Sequence, residues 1–156
     1  MRDSALHSLI EHSIETARHE IQSGWASVLV QNGKVLDREQ GKGIRPALMI
    51  FQRRLVGASP SNLLPAKDNS LVFGDRVLGL AAFKLGCLMG AGAMWGDLVS
   101  QLALAEAGLK GVPVVYEKRV QSILNRAGDD LCPIERLASG CDKDSDFYSR
   151  LLEWLK

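Results

Sequence analysis

The chain has 156 residues, and its 19 lysines and arginines against 18 acids leave a net charge of +1. A chain of this length can bury one sizeable hydrophobic core, so we predict a single domain over residues 1–156. The near-neutral balance gives no basic surface, so neither nucleic acid nor an anionic membrane is predicted as a partner.

The first predicted element is an amphipathic helix over residues 3–23. Apolar side chains recur at the spacing of one helical face, and polar side chains, His12 and His19 among them, lie mostly elsewhere around the helix. Gly24 is predicted to end it. The apolar positions are Leu6, Leu9, Ile10, Ile14, Ala17 and Ile21.

An antiparallel hairpin is predicted next. Residues 25–30 form a mostly apolar run, and Asn32-Gly33 is a strong two-residue turn signal that leads into a second strand over residues 34–37. Pro46 suits the first turn of a helix, so residues 46–54 are predicted to be helical.

The second half of the chain alternates short strands with helices, which is typical of a parallel sheet. Residues 77–95 are apolar enough to suggest a membrane span, but Lys84 near the middle and four glycines argue against it. The predicted elements are a loop (58–70), strands (71–73, 95–99, 112–116) and helices (76–89, 102–109, 118–126, a short one after Pro133, and 145–156).

Residues from about 25 to 137 resemble an uncharacterised prokaryotic family of the DUF1893 type, which has a cytidine-deaminase-like fold. The resemblance implies a three-layer α-β-α domain with a mixed sheet of about five strands, an antiparallel N-terminal hairpin, and extra helices at both ends. It implies no activity. The residues that carry it are Asn32-Gly33-Lys34, Gly41 to Pro46, Gly74 to Val77 leading into Ala81-Ala82, Tyr116-Glu117, Asn125-Arg126 and Cys132-Pro133.

The motifs of zinc deaminases are missing from this sequence. Those enzymes resemble one another in a His-x-Glu or Cys-x-Glu at one helix start and a Pro-Cys-x-x-Cys at the next. Here residues 75–82 read DRVLGLAA and residues 100–105 read SQLALA. Because a catalytic zinc needs about three such ligands, we predict no metal site, no zinc-dependent deamination and no cofactor.

The loop before the second helix is a candidate anion site. Lys42 and Arg45 bring positive charge, Gly43 allows close backbone approach, and the following helix presents free N–H groups to a phosphate. The alternative is a plain connection with two turn glycines. Asp75 is predicted either to accept hydrogen bonds from a ribose or base, or to cap a helix N-terminus.

Asn125 and Arg126 complete the predicted ligand-binding set. The guanidinium of Arg126 can bind a phosphate bidentately, although pairing with Asp129 and Asp130 is slightly favoured. The ligand hypothesis that follows is a nucleotide-like or ADP-ribose-like small molecule.

Cys132 is the weak catalytic candidate. A thiol at a helix N-terminus near Arg126 can become a nucleophile, but Asp129 and Asp130 would raise its pKa and no histidine lies in this half of the chain. Buried packing is therefore favoured over a cysteine-dependent enzyme.

Cys87, Cys132 and Cys141 are an odd number of cysteines at unrelated spacings, without a preceding signal peptide, so a cytoplasmic location is predicted. Apolar helices at both ends suggest a third hypothesis, a structural or regulatory homo-oligomer such as a homodimer. The tryptophans, Trp25, Trp95 and Trp154, are predicted to be core or interface anchors.

Overall fold

The structure is a computed structural model that describes residues 2–55 and 67–156. These residues form a single sheet and the helices that flank it. In chain order the elements are α1 (Arg2–Gln22), β1 (Ser27–Gln31), β2 (Lys34–Glu39), α2 (Arg45–Arg54), β3 (Asp68–Leu78), α3 (Leu80–Leu88), β4 (Ala91–Ser100), α4 (Gln101–Lys110), β5 (Val114–Val120), α5 (Pro133–Ser139) and α6 (Asp144–Trp154).

The five strands form one mixed sheet in the order β2-β1-β3-β4-β5. Strand β1 pairs antiparallel with both β2 and β3, whereas β3, β4 and β5 run parallel. Asn32 and Gly33 have φ values of 51° and 76°, which a tight hairpin turn requires. The predicted mixed α/β sheet with its antiparallel hairpin is therefore confirmed.

Helices cover both faces of the sheet, which gives the three predicted layers. Helix α1 packs Ala17 and Ile21 against Val28, Val72 and Trp95 on one face. The opposite face carries the larger core, to which α2, α3, α5 and α6 contribute. Helix α3 lies within this core, because eight of its nine residues are buried.

The long apolar stretch is divided among three elements. Residues 77–95 contain the end of β3, all of α3 and half of β4. Within the residues that the structure describes, no helix is both long enough and apolar enough to cross a bilayer.

The predicted boundary between strand and helix near Asp75 is wrong. Strand β3 begins at Asp68 and continues to Leu78, because Val77 pairs with Leu98 of β4 and Leu78 with the following residue. Asp75 therefore lies within a strand and does not cap a helix. Of the predicted loop 58–70, residues 58–66 lie outside the described residues, and residues 68–70 belong to β3.

The predicted helix over 118–126 is also wrong. Residues 118–120 complete β5 by pairing with β4. Residues 121–132 are irregular and contain one isolated bridge, between Leu124 and Leu131. The predicted strands 95–99 and 112–116 occur with different ends, as β4 and β5, and the terminal helix ends at Trp154.

The three tryptophans differ in burial. Trp95 is a core residue, as predicted. Trp25 is half-buried, and the guanidinium carbon of Arg38 lies 4.2 Å from its ring centroid. Trp154 is 52% exposed, so of the two predicted roles it does not have that of a core residue, and its role as an interface anchor stays a prediction.

Candidate functional site

A cleft of about 570 Å³ lies at the carboxyl end of β3. Its walls are the loop before α2, the start of α3, the irregular segment 121–132, and α5. In open α/β sheets this is the edge at which ligands bind. The lining is mainly apolar, and its polar side chains are Lys42, Asp75, Arg76, Asn125, Arg126, Cys132 and Glu135.

Five of the six predicted ligand-binding residues line this one cleft: Lys42, Gly43, Asp75, Asn125 and Arg126. Arg45 does not; it is exposed at the first position of α2. The three segments that supply these residues are about 30 to 50 positions apart in the sequence. The fold therefore brings most of the predicted set together.

Asp75 is a buried carboxyl group in the wall of the cleft. Its Oδ2 accepts a hydrogen bond of 2.8 Å from the Ser27 hydroxyl, and its Oδ1 accepts one of 3.0 Å from the Val77 N–H. Burial raises the pKa of Asp75 to about 7, although these bonds and the charge of Arg76 oppose the rise. Near neutral pH this carboxyl group is present in both protonation states and can accept or donate a hydrogen bond.

Glu135 is a second buried carboxyl group in the lining, and it was not predicted. Its two oxygens accept the N–H groups of Leu80 and Ala81 at 2.7 and 2.9 Å. Burial raises the pKa of Glu135, and the two backbone bonds oppose that rise. Glu135 thus caps α3 from α5, where Gly79 at the N-cap position has no side chain to do so. The one local signal in the sequence was the glycine directly before an apolar helix. A glycine has no side chain to cap the helix, so another part of the chain must do so.

Replacing Gly79 with alanine is expected to lower the free energy of unfolding by about 1 to 3 kcal/mol, the usual cost of overpacking. A Cβ at this position would lie 2.5 Å from Glu135 Oε1 and would push the capping carboxylate away. Urea unfolding measures the loss. The control is Gly108→Ala in α4, where a Cβ has no neighbour within 4 Å. This substitution should raise the free energy of unfolding by up to about 1 kcal/mol, because alanine has the higher helix propensity. Equal effects of the two substitutions would contradict the capping role.

The cationic side of the cleft contains one residue that sequence reasoning missed. The Arg76 guanidinium donates a 2.8 Å hydrogen bond to the Gly41 carbonyl, which fixes the loop before α2 against β3. Gly41 and Gly43 both have positive φ, so the loop needs glycines at these positions. Lys42 forms no ion pair with any residue that the structure describes, and its ammonium group remains available to an anion.

The favoured pairing of Arg126 with Asp129 and Asp130 is not observed among the described residues. Asp130 instead accepts a 2.8 Å hydrogen bond from Arg136. The Asn125 side-chain amide donates to the Asp129 carboxylate and accepts a hydrogen bond from the Asp129 N–H. These local bonds hold the segment in shape and leave the exposed Arg126 guanidinium on the cleft wall.

Cys132 is a half-buried free thiol in the same lining. The histidines lie on α1, across the sheet from α5, and His12 is placed over Gly33 at the opposite end of the sheet from Asp75. A Cys-His pair is therefore not formed here. Across residues 2–55 and 67–156, no group of three or more His, Cys, Asp or Glu is arranged to hold a metal ion.

Comparison with known proteins matches residues 16–155 to the model of one family, described as "Domain of unknown function (DUF1893)". The crystal structure of a DUF1893 family protein from Thermotoga maritima superposes with a TM-score of 0.72 and 17% identity, over 90% of this chain and 88% of that one. At this identity the match shows a shared fold. No curated protein matches this chain.

Two structures of NE0047 are also similar at 11% identity. A mutant in complex with 8-azaguanine has a TM-score of 0.43, over 87% of this chain and 86% of that one. The complex with 2,6-diaminopurine has a TM-score of 0.42, over 88% and 82%.

Proposed function

The chain belongs to the DUF1893 family, whose function is unknown, and from the geometry of its cleft we propose that it binds a nucleotide-like small molecule. The observation that carries the proposal is the convergence of three distant segments on one cleft. They contribute the cations Lys42, Arg76 and Arg126, the carboxyl group of Asp75 and the amide of Asn125.

The chemistry of the lining supports such a ligand. Small-molecule sites are typically mainly apolar clefts of about 300 to 1,000 Å³ with a few convergent polar groups. Ile44, Val77 and Ile134 offer apolar contact to a ribose or base. The cations suit a phosphate, and the Asp75 carboxyl group suits a ring nitrogen or a sugar hydroxyl.

AMP or ADP-ribose is expected to raise the melting temperature of the protein at millimolar concentration. A ligand at one hundred times its Kd adds about 2.7 kcal/mol to the free energy of unfolding, which is roughly 5 to 10 °C for a domain of this size. Lys42→Ala and Arg126→Gln should each weaken binding about tenfold or more, because each removes a charged contact. Thermal shift and calorimetric titration measure both effects.

The matched control is Arg119→Gln, at an exposed position on β5 outside the cleft lining. This variant should bind as the unaltered protein does. If neither nucleotides, nucleosides nor ADP-ribose shifts the melting temperature, the proposal is wrong. If the control weakens binding as much as Lys42→Ala, the site lies elsewhere.

Two alternatives stay predictions. Strand β5 is an edge strand on which Val115 and Tyr116 are exposed, so pairing with a second copy is a candidate role that light scattering tests. Cys132 lines the proposed ligand site, so cysteine-dependent chemistry there is tested by the rate of iodoacetamide labelling.

A further inference from the structure

Trp154 is the most unusual side chain near the cleft. It is the last residue of α6, and a little more than half of its surface is exposed. Large aromatic side chains normally bury most of their area, so an indole left open at the rim of an apolar cleft is an available contact surface.

Trp154 also marks one end of the cleft. A second cavity of about 470 Å³ adjoins it, and the two share Asn125, Pro133 and Trp154 in their linings. Lys42 and Gly43 line the first cleft alone. The cleft therefore has an aromatic end beside the second cavity and a cationic end at the loop before α2.

The two ends also differ in the cations they present. The second cavity is lined by Arg136, which is paired with Asp130, and by Arg150, which forms no ion pair with a described residue. At the opposite end, Lys42 has no ion-pair partner in the described part of the chain, and Arg76 donates only to a backbone carbonyl. Because the Arg76 guanidinium is hydrogen-bonded to Gly41, next to Lys42, an anionic group at this end can contact two cations at once.

We propose that the planar ring of the ligand stacks on the indole of Trp154, while the ligand's anionic group lies at Lys42 and Arg76. This inference rests on the proposed function and adds an orientation and a ligand class, a phosphorylated compound with an aromatic base. Stacking of a base on an aromatic side chain contributes about 1 to 3 kcal/mol.

The test compares AMP with two fragments, ribose 5-phosphate, which lacks the base, and adenosine, which lacks the phosphate. Trp154→Ala should weaken AMP binding about 5- to 150-fold, as the loss of stacking predicts, and leave ribose 5-phosphate unchanged. Trp154→Phe should retain most of the affinity. Lys42→Ala should weaken AMP and leave adenosine unchanged.

Intrinsic fluorescence gives a second readout, because AMP should quench Trp154 and the quenching should vanish in Trp154→Phe. The control for a change at an exposed apolar residue is Leu109→Ala on α4, outside both cavities. Unchanged melting temperatures of the free variants show that the fold is retained.

Three results would overturn the inference. If AMP binds and Trp154→Ala leaves its affinity unchanged, stacking is wrong and nucleotide binding stands. If Arg150→Gln, in the second cavity, weakens AMP while Lys42→Ala does not, the orientation is reversed. If the unaltered protein binds none of the three compounds or ADP-ribose, the proposed function itself fails.

Discussion

Replacing Asp144 with alanine is expected to lower the free energy of unfolding by about 3 to 5 kcal/mol, because it leaves a buried charge without its partner. The ammonium group concerned belongs to Lys84, which is 2% exposed in the middle of α3. Its Nζ donates to the Cys141 carbonyl at 3.1 Å and to Asp144 Oδ1 at 3.3 Å. This contact ties α3 to the start of α6.

Urea unfolding of Asp144→Ala should be compared with that of Asp146→Ala. Both aspartates lie in the first turn of α6, but Asp146 is exposed, so the control accounts for the favourable effect of an acid at a helix N-terminus. Lys84→Met should cost less than Asp144→Ala, because an apolar side chain of similar length needs no partner. Equal losses for the two aspartate variants would show that Lys84 does not depend on Asp144.

Replacing Asp75 with asparagine is expected to stabilise the protein at pH 8 by on the order of 4 kcal/mol and to leave its stability at pH 4 nearly unchanged. The pKa of Asp75 rises from 3.8 to about 7 on folding, since burial disfavours the carboxylate. Each pKa unit corresponds to about 1.36 kcal/mol. The unfolded chain loses this proton near pH 4, whereas the folded protein keeps it until about pH 7.

The sign of the effect follows from which state holds the proton. Between pH 4 and 7 the folded state binds one proton more than the unfolded state at this group, so the free energy of unfolding falls as pH rises. Asparagine does not titrate, and its amide can still accept from the Val77 N–H and donate to the Ser27 hydroxyl oxygen.

Urea unfolding across pH 4 to 8 measures this difference between the two proteins. The raised pKa of Glu135 adds to the fall of the free energy of unfolding with pH in both proteins, so the difference between them isolates Asp75. A stability difference that does not change with pH would contradict the prediction. If the difference is confirmed, the protein retains a buried acid that weakens its fold at neutral pH, as is common at functional sites.

Part of the candidate site was predictable from residue chemistry alone. The residues selected because their chemistry suits an anion or a base included Lys42, Gly43 and Arg45 before α2 and the pair Asn125-Arg126. All of them except Arg45 line the cleft. Glu135 could not be selected in this way. Its role depends on a contact with α3 more than fifty residues away, and the glycine before α3 does not indicate which residue makes that contact.

The sequence by itself determined the elements whose signals are local. The Asn32-Gly33 turn needs positive φ at both residues, and Pro46 suits a helix start, so the hairpin and α2 are found where they were predicted. Only the tertiary structure decided residues 76–78 and 118–120, which were predicted to be helical. Their backbone groups pair with β4, and hydrogen bonds to a distant strand outweigh a local helical preference.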